Sequence, residues 1–82
     1  MPSFQWSSPL EIDLQGRGVF TPVTGPMQAL ALLRLQWPLP FGMKYEFAKS
    51  RCFDCLAGKA ELDASRQALL DAAREAGIRY WS

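Results

Sequence analysis

An α+β domain is the fold class this sequence predicts: an N-terminal β-hairpin, three helices and a short C-terminal strand that completes a small sheet. Three observations predict it. Residues 9–14 alternate apolar and polar with the period of two that a half-buried strand requires, and residues 19–23 continue as a second strand after a glycine turn. Residues 24–77 carry apolar positions at helical spacing, interrupted by Pro and Gly at intervals that suit helix ends. Residues 78–81 return to a short, aromatic, extended pattern. No repeat, low-complexity tract or linker divides the 82 residues. The organisation is one domain: an arm over 1–8, a hairpin over 9–23, a helical part over 24–77 and a strand over 78–82.

In the hairpin, Leu10, Ile12 and Leu14 share one face while Glu11, Asp13 and Gln15 share the other. Gly16-Arg17-Gly18 supplies the turn, and Val19, Thr21 and Val23 form one face of the returning strand. Pro22 has no amide hydrogen and therefore belongs on a free edge or at a strand end. Thr24-Gly25-Pro26 reads as a helix start, because proline in the first turn gives up an amide that has no partner there. From Met27 to Leu35 nearly every face is apolar, with Gln28 and Arg34 as the polar exceptions, so this helix is expected to be covered on several sides. Trp37-Pro38-Leu39-Pro40 ends it.

The second helix, Met43 to Ala57, has a stripe of Tyr45, Ala48, Cys52, Cys55 and Leu56, with Gly58 as its stop. The third opens at Asp63, whose carboxylate is a suitable cap, and runs to Gly77, which with Ile78 forms a left-handed closure. Its small residues Ala68, Ala72, Ala73 and Ala76 allow a neighbouring element to approach the backbone closely.

Composition closes several functional routes. Nine Lys plus Arg against eight Asp plus Glu give a net charge of +1, too little for a sustained positive field along a phosphate backbone. There is no histidine, which removes the commonest general base and the imidazole metal ligands. Residues 1–9 lack a basic patch followed by an apolar run, and no stretch has the length of a membrane span, so a cytoplasmic location is expected.

Cys52-Phe53-Asp54-Cys55 is the sharpest chemical motif, since a C-x-x-C pair can act as a dithiol or supply half of a four-sulfur metal site. Its placement late in a helix and on the apolar stripe favours buried thiols instead, because an attacking thiol gains from a helix start. The hydroxyls have no histidine to activate them, and Glu46 and Asp54 show no partner at acid–base spacing. Gly16-Arg17-Gly18 is too short for a phosphate cradle and leads into a strand. Lys44, Lys49, Arg51 and Lys59 make a modest basic surface around the second helix, opposite the more acidic Glu61, Asp63, Asp71 and Glu75 of the third. Trp37 and Phe41, flanking two prolines, fit a cover over the end of the helical layer or the rim of a recognition surface. Phe4 and Trp6 at one terminus, with Tyr80 and Trp81 at the other, gather aromatics near exposed sheet edges.

Across nearly its whole length the sequence resembles the bacterial domain-of-unknown-function family number 982. The resemblance rests on Trp6-Ser7-Ser8-Pro9, on Gln28-Ala29-Leu30 closing at Trp37-Pro38, and on Gly42 and Ala48 leading to Cys52. Cys55-Leu56-Ala57-Gly58, Ser65-Arg66-Gln67-Ala68 and Ala72-Ala73-Arg74-Glu75-Ala76 continue it. It implies a compact α+β unit with a small sheet, and it implies no activity or catalytic residues. Cys55 stands where the family has alanine, so chemistry that needs both thiols would not be a family property.

These observations lead to a non-catalytic protein-interaction or accessory domain, with no cofactor and no bound metal. Its expected partner is another protein or a second copy of the chain, through Phe4, Trp6, Trp37, Phe41, Tyr80 and Trp81. A thiol redox protein using Cys52 and Cys55 is the alternative, and a weak nucleic-acid binder is the third reading.

Overall fold

The computed structural model describes residues 4–81; residues 1–3 of the expected arm and residue 82 of the expected last strand lie outside the described residues. Six elements follow in the order β1 (Leu10–Asp13), β2 (Thr21–Val23), α1 (Pro26–Leu35), α2 (Met43–Leu56), α3 (Leu62–Glu75) and β3 (Arg79–Trp81). The sheet has the order β2-β1-β3 with both pairings antiparallel, so the hairpin and the C-terminal strand together make one small sheet. Helices packed against one face of it complete the α+β architecture.

Leu10 and Ile12 of β1 are sealed in the core, as their alternation requires, and Val23 of β2 joins them. The two strands are shorter than the alternation suggests. Asp13 ends β1 because its side chain binds the loop: Oδ1 accepts from the Arg17 amide at 3.1 Å and Oδ2 from the Gly18 amide at 2.9 Å. The loop thereby holds residues 14–20, and Val19 is exposed rather than aligned with Val23. Asp13 itself sits on the side of β1 expected to face solvent, yet it is buried. The loop and Arg79 of β3, 3.1 Å away in the opposing register position, cover it.

Pro22 does lie on an edge strand. Its carbonyl accepts from Gln28 Nε2 at 3.0 Å, while Gln28 Oε1 accepts from the Thr24 amide at 3.0 Å. One side-chain amide of α1 thus takes the place that a further strand would occupy beside β2.

α1 begins at Pro26 after Gly25, whose missing Cβ leaves room for the Phe4 carbonyl. α2 and α3 are each closed by a glycine with positive φ, Gly58 and Gly77, followed by the amide of Lys59 or Ile78 reaching back to Asp54 or Ala73. The start of α3 differs from expectation: Glu61 is its cap residue with no side-chain capping bond, and Asp63 lies exposed in the first turn. The alanine face works as expected, with Ala68, Ala72 and Ala73 buried and α2 packed closely against α3. The expectation that α1 is covered on several sides fails. Ala29, Leu32 and Leu33 are buried, but Met27, Ala31 and Leu35 face outward because no element of the described residues lies over them.

Candidate functional site

The residues expected to form an interaction surface separate into two groups. Trp6 and Trp37 are core side chains, 7% and 6% exposed. Trp6 is held by its indole, which donates to Ser65 Oγ at 2.9 Å, and by its own amide on the Thr24 carbonyl. Ser65 in turn donates to the Leu62 carbonyl, so the arm is fastened to α3 through a buried relay. Trp37 Nε1 is buried without a hydrogen-bond partner. Tyr80 is half-buried, and its hydroxyl accepts from Arg74 Nε at 2.8 Å. Phe4 ahead of β1, Phe41 in the α1–α2 connection and Trp81 on β3 remain exposed in three separate parts of the chain. Trp81 gains an aromatic neighbour not expected from sequence, Phe20, at 6.4 Å between ring centroids.

Cys52 and Cys55 are both buried and reduced. Burial, with the adjacent Cys55 adding to it, pushes the Cys52 thiol up to about 12, opposite to the direction that a nucleophilic thiolate needs. The Cys55 thiol donates to the Glu61 carbonyl at 3.0 Å and so serves the α2–α3 connection. Asp13 shifts the other way. Burial opposes its ionisation, but the Gly18 and Arg17 amides and the Arg79 guanidinium outweigh that, and its carboxyl titrates below the ordinary 3.8. With both oxygens engaged in holding the hairpin, Asp13 is structural.

Several charged residues of α2 are occupied within that helix. Glu46, read from sequence as unpartnered, lies 3.5 Å from Lys49 one turn on. Lys49 also stands over the Tyr45 ring at 4.6 Å, and Arg51 over Phe47 at 4.7 Å. Among the described residues no group of three His, Cys, Asp or Glu side chains could hold a metal ion, and no helix is long and apolar enough to cross a membrane.

The concave surface that sequence reasoning missed lies on the outside of the α1–α2 hairpin. A groove of about 440 Å³ runs between the helices over Leu30 and Phe53, rimmed by Arg34, Lys49, Glu46 and Asp54. It shares Leu30 and Arg34 with a second depression of about 380 Å³ along α1 over Met27, Ala31 and Leu35. Met27 is 66% exposed, Phe53 64% and Leu35 80%. On α1, Met27, Leu30, Ala31 and Leu35 follow the spacing i, i+3, i+4, i+8 of a second apolar stripe, opposite the one facing the core, with the charged Arg34 at i+7. The signal was present in sequence as a helix with too many apolar residues.

A family model described as a protein of unknown function, DUF982, matches residues 8–80. The chain belongs to that family. DUF982 membership accounts for nearly the whole chain, including all six elements up to Tyr80 of β3, and agrees with the family resemblance, although Trp6 and Ser7 of its first motif lie outside the matched residues. It brings no activity with it. No curated protein and no solved structure matches the chain.

Proposed function

We propose that this domain is a non-catalytic protein-interaction module and that the outer face of α1, continued by the groove onto α2, is its contact surface. One observation carries this reading: a folded helix that already buries Ala29, Leu32 and Leu33 presents a second stripe of Met27, Ala31 and Leu35 to solvent, with Leu30 half-buried between them. Single exposed apolar residues are ordinary, whereas a contiguous, concave apolar strip rimmed by charges is the usual form of a protein contact site. The thiol alternative draws no support from Cys52, whose burial and raised pKa keep it protonated at neutral pH. A nucleic-acid role draws none from Lys49 and Arg51, which are engaged with neighbouring side chains on α2.

Site-directed photo-cross-linking in cells tests the reading. A photoreactive side chain at position 35 should give a protein adduct that Met27→Glu abolishes, while the same group at Gln15, in the β1–β2 loop, should give none. Equal labelling from both positions, or no adduct from position 35, would overturn it.

A further inference from the structure

We infer that the occupant of this face is a second copy of the same chain, packed with α1 antiparallel to α1 about a two-fold axis at Ala31. The inference rests on the interaction reading above and specifies its partner. Three features of the face fit a second copy. The first is size: Ala31 stands midway between Met27 and Leu35, so a small residue lies where two helix axes must come closest, with larger ones four positions away on either side. A two-fold axis at Ala31 brings Met27 of one copy to the level of Leu35 of the other, twice over. The second is the stripe itself, whose spacing is that of helices packed side by side.

The third feature is charge. α1 and α2 form a helical hairpin joined by residues 36–42, so α2 runs back along α1 and places Asp54 near the start of α1, while Arg34 lies near its end. The axis at Ala31 exchanges these two levels and keeps both α2 helices on the same side of the contact. Arg34 of each copy therefore faces Asp54 of the other. Neither makes a salt bridge within its own chain among the described residues, so both are free to make that one. A partner with one dominant charge would leave half of this rim opposed to like charge, whereas a second copy matches both signs. The interface is isologous and closed, so assembly stops at two chains.

Sedimentation velocity over a dilution series, on the full chain and two double variants, tests the pairing. The parent chain should pass from monomer to dimer as concentration rises. Met27→Glu with Leu35→Glu puts like charges at both meeting levels and should weaken association about tenfold or more. Met27→Lys with Leu35→Glu puts opposite charges at the same levels only if the helices are antiparallel, and should restore a dimer that raised salt weakens. Both variants change exposed positions and should retain the parent's helical circular dichroism. A parent that stays monomeric throughout overturns the inference, as does a lysine–glutamate variant that associates no better than the double glutamate. If position 35 still gives its Met27-dependent adduct while the parent is monomeric, the interaction reading survives and the self-pairing does not.

Discussion

At Asp13 a carboxylate beneath the hairpin loop accepts two backbone amides and a guanidinium, so the pH dependence of the fold has an identifiable origin. Its pKa is lowered in the folded chain, which means that its contribution is fully present above the ordinary carboxylate value and is lost as pH falls through the folded value. Asp13→Asn has one acceptor for two amides and turns an amide donor toward the rest. We expect the variant to melt at a lower temperature than the parent at neutral pH, and the gap to close on acidification below the folded value. Thermal melts at several pH values check this, and a gap unchanged down to acid pH would mean that the carboxylate's charge is immaterial. The role of Asp13 was not legible in the sequence. Alternation placed it on the outward side of β1, and the covering Arg79 lies 66 positions away.

Helix ends show what local pattern does and does not specify. The glycine closures of α2 and α3 were readable because they depend on a residue and its immediate neighbours, Gly58 and Gly77. The start of α2 was not readable. Its cap comes from Glu75 at the end of α3, whose carboxylate accepts from the Lys44 amide at 3.0 Å and the Tyr45 amide at 3.1 Å. Gly42, with φ of 119°, sits directly against that carboxylate, and a Cβ there would collide with it. Gly42→Ala should cost about 1 to 3 kcal/mol from backbone strain and the displaced cap, and Glu75→Ala about 1 kcal/mol. Because alanine at position 42 already dislodges Glu75, the double variant should be less destabilised than the two single costs added together. Denaturant titration of all four proteins checks this, and simple additivity would separate the glycine from the cap.

For the molecule as a whole, the three helices and the sheet close over one core that includes Trp6, Trp37 and Cys52. Which residues enter that core was largely legible, because helical and strand periods report burial directly: the Tyr45, Ala48, Cys52 and Cys55 stripe and the alanine face of α3 lie where they were expected. The outer face of α1 was not, since an apolar residue that awaits a partner looks in sequence like one already covered. Cys52 has no route to solvent short of opening the core, so its alkylation should report unfolding of the entire domain. Labelling in native buffer should be slower than in denaturant by a factor on the order of 10³ or more, and rates should track stability across the Asp13 and Gly42 variants. Rapid labelling of the native protein would place the thiol in a locally mobile region instead.

The seating of Gln28 against β2 bears on how this protein behaves when crowded. A strand can add only where backbone donors and acceptors are free, and Pro22 offers no donor while its carbonyl is occupied. Growth of the sheet is thereby confined to the side of β3, and a ribbon that extends in one direction only cannot template its own continuation. Fibrous aggregation through the folded sheet would end after a single addition.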